Sequence, residues 1–298
     1  MSYDLVVATP TFLDLTFTGL ESVPVLGEER FASDLLRSPG GGAITAVGAA
    51  RLGLSTALAA PLGDDVGGEL IAEVLNADGV DVIDRRAPRT PVTVVLPAEG
   101  DRAMVTVDPG ARAKPADVAA LEPRAVALNI DLLYVAPDSA DMYVTCGGDD
   151  ARAFAGRPPA QLASARTLFV SQSEALGLTG AGDVEEAAQR LGELVPSVVV
   201  TLGSEGAIGL IEGERVSAPA HDVGRAVDAT GAGDLLVAAY IWGDQLGTPA
   251  EDRLRWAVIY SALSITKPTA VGGAVTLEQL LDEGARSGLA PPEGVTRV

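Results

Sequence analysis

The sequence predicts an α/β protein built on a doubly wound, mostly parallel sheet. Short apolar runs of strand length alternate with helical segments along the chain, the pattern produced by parallel strands joined through crossover helices. One run, Val198-Val199-Val200-Thr201-Leu202-Gly203, is apolar at consecutive positions, as a strand covered on both faces must be. The 298 residues are 47% hydrophobic but only 4% aromatic, so the core is expected to be packed from Val, Leu and Ala. That length can bury one substantial core, and residues 1–298 are read as a single domain carrying a small second sheet.

Residues 4–9 give a buried first strand ending toward Pro10, and Asp14 follows close to that strand's carboxyl end. Ligands collect at such ends in open α/β sheets, so Asp14 is a candidate for binding hydroxyl groups, with turn stabilisation as the alternative. Residues 17–36 break into short extended pieces around Pro24 and Gly27, such as Glu29-Arg30-Phe31-Ala32, and read as a small ribbon. Ser38-Pro39-Gly40-Gly41-Gly42 reads as a glycine turn entering a small-residue helix that runs to Arg51, with Gly53 at its stop. Bare backbone there suits either a tight turn or a binding loop. Residues 56–60 form the next strand, a helix follows to Leu75, and residues 79–82 are again extended. Strand-like runs at 92–96 and 103–107, joined through 98–102, make a hairpin. With the ribbon it forms the small sheet, whose strands are inserted at about 17–36 and 91–107.

Helical periodicity covers residues 117–127, residues 132–135 read as a strand, and residues 137–166 carry no clear period. Residues 168–170 are a strand, while 173–178 and 184–194 are helices. The strand at 198–203 ends in Gly203-Ser204-Glu205-Gly206, a turn with room for a nucleotide. Helices are expected at about 235–246, 250–265 and 277–284. No period of about 20 to 50 residues recurs, which argues against a solenoid.

Asp228-Ala229-Thr230-Gly231-Ala232-Gly233-Asp234 precedes the apolar run Leu235-Leu236-Val237-Ala238-Ala239-Tyr240-Ile241-Trp242. Two glycines flanking an alanine let backbone N–H groups converge without side-chain obstruction, and the run reads as a buried helix starting near Ala232. Unpaired N–H donors and the positive end of the helix dipole together suit a phosphoryl group. Asp234 in the first turn is then placed to act as a base, although acids also serve there as ordinary caps.

The net charge of −20 disfavours nucleic acid and anionic membranes as partners, since both need basic patches. Lys114 and Lys267 are the only lysines and neither follows a glycine, so no Walker A loop exists. Cys146 is the single cysteine, which excludes an internal disulfide and argues against a thiolate zinc site. It is expected to be a small buried residue, and His221 to occupy a loop or edge position rather than a catalytic one. With no leader and no bilayer-length apolar stretch in the sequence, a cytoplasmic location is the default expectation.

These residues together resemble the PfkB (ribokinase-like) carbohydrate kinase family over nearly the whole chain. Residues 228–234 are similar to the family's D-T-x-G-A-G-D signature. Gly40-Gly41-Gly42 through Ala50-Arg51-Leu52-Gly53 resembles its N-terminal glycine signature, and Gly63-Asp64-Asp65-Val66-Gly67-Gly68 its G-x-D-x-x-G. Val199-Val200-Thr201-Leu202-Gly203-Ser204-Glu205-Gly206 is similar to its nucleotide-side V-V-T-L-G-x-x-G. The resemblance implies a three-layer α/β/α ribokinase-like fold with a small β lid, and phosphorylation of a hydroxymethyl group by ATP with Mg2+. It implies that Asp234 removes the hydroxyl proton and that Gly231, Ala232 and Gly233 form the anion hole for the transferring phosphoryl. Asp14, Gly40 and Gly41 would bind sugar hydroxyls, Thr201, Gly203, Gly206 and Asp228 the nucleotide side, and Glu174 the metal. A monovalent cation such as K+ and a homodimer through the lid are further expectations.

Five departures accompany the match. Ile44 stands where the family carries Asn, which removes a hydroxyl contact, and Pro39 replaces a glycine. Ser171-Gln172-Ser173-Glu174 keeps the acid of N-x-x-E without its Asn. Ala229 replaces a Thr beside the expected cation loop, and residues 137–166 are short for the family's usual helix and strand. A nucleoside kinase is the second reading within the same fold, since an apolar Ile44 would tolerate a non-sugar face. A catalytically weak sugar or nucleotide sensor is the reading from another class.

Overall fold

A computed structural model describes residues 2–98 and 101–295. In chain order it contains β1 (Leu5–Val7), β2 (Thr11–Thr18), β3 (Asp34–Gly41), α1 (Gly42–Arg51), β4 (Thr56–Leu58), α2 (Val66–Ala77) and β5 (Asp81–Val82). Next come β6 (Val92–Ala98), β7 (Asp101–Val107), α3 (Pro115–Ala119), β8 (Ala125–Asn129), β9 (Asp141–Thr145), α4 (Gly148–Ala153) and β10 (Thr167–Ser171). The remainder is α5 (Gln172–Thr179), α6 (Val184–Gly192), β11 (Ser197–Thr201), β12 (Gly206–Ile211), β13 (Glu214–Pro219), α7 (Ala232–Gln245), α8 (Ala250–Ser264), α9 (Ala270–Gly273) and α10 (Leu277–Arg286).

The large sheet has the order β13-β12-β11-β10-β9-β8-β1-β4-β5, parallel except for β12 and β13. Successive residues of its strands feed opposite cores: Leu5 and Val7 join one apolar cluster, with residues of α1, α2, α7, α8 and α10. Val6 joins the other, with residues of α3 to α6. Burial on both faces explains the unbroken Val run of β11, and three layers result. Strand order reverses at β1, with β4 on one side and β8 on the other. A ligand site belongs at the carboxyl edge of such a switch point, and the chain leaves that edge of β1 to build the small sheet beside it.

The small sheet has the order β3-β2-β6-β7. Strands β2 and β3 lie mostly outside the ribbon expected at 17–36 and overlap only its margins, so most of that stretch is their connection. No strand forms over residues 29–32. Glu99 and Gly100, within the predicted hairpin loop, lie outside the described residues.

Several expectations are corrected. The helix read at 117–127 ends at Ala119, because Pro123 cannot continue it and Glu122 adopts φ 47; residues 125–129 are instead strand β8. Residues 132–135 are not a strand but part of a 3-10 helix, Ile130–Val135, packed into the short crossover between parallel β8 and β9. Residues 137–166 do hold a strand and a helix, β9 and α4. The glycines at 40–42 are no turn: β3 runs straight into α1, with Gly41 at φ 58 as the helix N-cap. The antiparallel pair β12 and β13 has no counterpart in the sequence reading. Among the described residues, no helix is long and apolar enough to cross a membrane.

Candidate active site

The site is assembled at the carboxyl edge of the large sheet. The first turn of α7 is its centre. Gly231 caps the helix at φ 73, a conformation that favours glycine, and the first i to i−4 bond runs from Leu235 N–H to Gly231 O at 3.0 Å. Ala232, Gly233 and Asp234 therefore form the first turn, ahead of the regular helical ladder; the N–H of Ala232 makes a long bond, 3.4 Å, to Ala229 O. Gly233 is exposed, and nothing lies within 4 Å of a Cβ built on it, so the turn presents bare backbone to open space. Asp234 is half-buried beside it. The loop ahead of the helix is drawn together by Asp228, whose carboxylate accepts from Thr230 N–H at 2.9 Å and Thr269 N–H at 3.0 Å.

Asp14 does not sit at the end of β1 but mid-strand in β2 of the small sheet. Its carboxylate stands over Gly40, where a Cβ would lie 2.1 Å from Oδ2. Gly41 is equally tight, its missing side chain facing Pro10 O at 2.4 Å and the Phe12 ring. Asp14 and Gly40 are thus in contact, with Gly41 next in the chain. Helix α1 then joins them to the α7 turn: Thr45 Oγ1 donates to Asp234 O at 3.3 Å, and Ile44 packs on Gly231. Ile44 is 2% exposed and faces the turn, so it offers no apolar surface to a ligand.

At the ends of β10 and β11, Ser171, Gln172, Ser173, Leu176, Thr201, Leu202 and Gly203 line an open groove of about 510 Å³. Glu174 lies beside it in a capping box: its Oε2 accepts from Ser171 N–H at 2.7 Å, and its own N–H donates to Ser171 Oγ at 3.3 Å. Gly206 is buried rather than facing the groove, because its missing Cβ would lie 2.2 Å from Ala218 O. Among the described residues no three His, Cys, Asp or Glu side chains form a metal cage.

Some site residues gave no sequence signal. Thr269 and Ala270, which brace the α7 turn, belong to no motif. Asn129 was concealed by the helical reading of β8; its Nδ2 donates to Asp150 Oδ2 at 2.7 Å and Asp131 Oδ1 at 3.0 Å on the same sheet edge. Cys146 is buried, and burial, with Glu174 and Asp150 nearby, pushes its thiol up to about 12, so it is no thiolate at neutral pH. His221 lies in a loop, with Nε2 3.0 Å from Glu283 Oε1.

Comparison with known proteins identifies the family. The model of the pfkB family carbohydrate kinases matches residues 27–276. The chain is 30% identical to ribokinase of Bacillus subtilis over 292 residues, 90% of this chain and 96% of that protein. A shorter match, 32% over 119 residues, links it to 1-phosphofructokinase of Vibrio cholerae, of which it spans 37%. The structure of Arabidopsis thaliana ribokinase complexed with ribose and ATP superposes with a TM-score of 0.78 at 24% identity, covering 95% of this chain and 98% of that one. Over most of its length, then, the chain belongs to the pfkB family of carbohydrate kinases.

Proposed function

We propose that this protein transfers the γ-phosphoryl group of ATP to a hydroxymethyl group of a sugar. The observation that carries the reading is the first turn of α7, where exposed bare backbone at Gly233, after Gly231 and Ala232, adjoins the half-buried Asp234 and is tied through α1 to Asp14 and Gly40. Asp14 and the backbone at Gly40 and Gly41 hold the acceptor hydroxyls. Asp234 takes the proton of the attacking hydroxyl as its oxygen bonds to the γ-phosphorus, and the bond from that phosphorus to the β,γ-bridging oxygen breaks, releasing ADP. The α7 N–H groups stabilise charge on the transferring phosphoryl, which is the main electrostatic demand of such a step. The groove by Thr201 and Gly203 takes the nucleotide, with Gly206 shaping the turn from behind and Asp228 holding the loop beside it. Mg2+ supplies charge neutralisation on the phosphates, usually through waters and few protein ligands. Glu174 would hold such a water, and K+ beside the Asp228 loop is a further element of the proposal.

A sugar is preferred to a nucleoside because Ile44 is buried, which removes the apolar acceptor face that favoured a base. The partner we propose is a second copy of the chain. Leu15, Phe17, Leu35, Val94 and Val105 share the face of the small sheet opposite Asp14, and Val105 is 64% exposed. ADP release from MgATP with a panel of sugars, sugar phosphates and nucleosides tests the function. Turnover with a sugar is expected; turnover with nucleosides alone supports the second reading. Ligand-induced stabilisation without turnover on any acceptor supports a sensor.

A further inference from the structure

Gly231 is clamped from two sides. A Cβ built on it would lie 2.4 Å from Ala270 Cβ, 2.7 Å from Ile44 Cδ1 and 3.1 Å from Ile44 Cγ2. Both jaws are buried, Ala270 at 3% and Ile44 at 2% exposure, so neither is free to swing away. The next residue of α1, Thr45, is bonded to the Asp234 carbonyl. One turn on, Gly48 admits Leu235 and Ala238 of α7, which would lie 2.6 and 3.0 Å from a Cβ there. At the far end of α1, Arg51 donates to Val271 O at 2.8 Å and Ala274 O at 2.5 Å, and Asp78 grips its guanidinium at 2.8 and 2.9 Å. A single helix thus presses on the turn with one end and holds the segment bearing the opposite jaw with the other. It starts at Gly42, two residues after Gly40, which lies under Asp14.

We propose that Ile44 is a positioning residue for the phosphoryl-transfer turn. Packed against Gly231, it holds the left-handed cap that aims Gly233 and Asp234 toward an acceptor at Asp14 and Gly40. In this chain the position therefore serves the catalytic turn by packing instead of holding a substrate hydroxyl. The inference rests on the kinase reading above for its kinetic consequence, though not for its structural one.

Ile44→Ala and Ile44→Val test it, with Val47→Ala as a control buried on the same helix. Ile44→Ala is expected to lower kcat roughly ten- to a hundredfold, the scale of a small misplacement of reacting groups. KM for acceptor and ATP should stay within about twofold, because ground-state binding is not the interaction removed. Ile44→Val deletes only Cδ1 and should give a smaller loss in the same direction, which also keeps the test open if Ile44→Ala fails to fold. Hydrogen exchange of the amides at 228–236 should quicken in both Ile44 variants and not in Val47→Ala. Exchange needs no turnover, so a wild-type protein that phosphorylates nothing defeats the kinase reading while the clamp is still judged. A rise in acceptor KM alone, or equal effects from Val47→Ala, overturns the proposal.

Discussion

Gly40 matters for what stands over it. Because a Cβ would lie 2.1 Å from Asp14 Oδ2, Gly40→Ala must swing the Asp14 carboxylate aside. Acceptor KM is expected to rise roughly tenfold or more, about the worth of one hydrogen bond to a charged group, with little change in ATP KM. Steady-state kinetics varying each substrate in turn check this. At this scale the sequence was informative where chemistry demands a residue type: a glycine under a carboxylate, and an acid in the first turn of a buried helix. At Ile44 it left the acceptor open, because an apolar residue in a binding signature would tolerate a non-sugar face. Only the packing of α1 against α7 shows that the side chain points at Gly231. Asp14 was misplaced, because nothing in residues 4–18 marks where the large sheet ends and the small one begins.

Helix α7 is held at both ends. Its buried run from Leu235 to Asp244 is sandwiched between α1 and α8, which is why it is apolar all round. At its carboxyl end Asp244, with its side chain 1% exposed, accepts from Arg166 Nε at 2.5 Å and Tyr143 Oη at 2.5 Å and pairs with Arg253 at 2.7 Å. Burial alone would raise the Asp244 carboxyl; the Arg166 and Tyr143 hydrogen bonds and the Arg253 charge outweigh it and hold it below its ordinary value. A depressed folded-state value means this contribution is fully present above the unfolded value near 4 and is lost as pH falls below it. Asp244→Asn should cost about 3–5 kcal/mol at pH 7, since it strands the buried Arg253. It should also lose less further stability than wild type on acidification below about pH 4. Thermal unfolding at neutral and acid pH measures both. None of this network was legible in the sequence, because Arg166, Asp244 and Arg253 are brought together only by the sheet and α8. The two elements misread between 117 and 135 share one cause: in the apolar stretch at 125–135, periodicity does not separate strand from helix over so few residues. Pro123 was the overlooked signal.

At the scale of the whole molecule, alternation of strands and helices was enough to predict the layered sheet, since parallel strands require crossovers and both their faces must be covered. The antiparallel β12 and β13 escaped notice because Gly206 and Gly209 interrupt the apolar residues of β12, and β13, Glu214–Pro219, has no apolar run. The apolar outer face of the small sheet bears on assembly. If two copies join through it, sedimentation gives a dimer mass, and Val105→Glu, at a position 64% exposed, gives a folded monomer with unchanged Tm at low concentration. The arrangement as a whole brings an acceptor at the small sheet and a nucleotide at β10 and β11 to one turn of α7. Asp234→Asn, assayed for phosphoryl transfer alongside nucleotide binding, tests that convergence most directly. Loss of kcat by roughly a hundredfold or more, with ATP affinity within about twofold of wild type, is the expected result. Turnover close to wild type would contradict it.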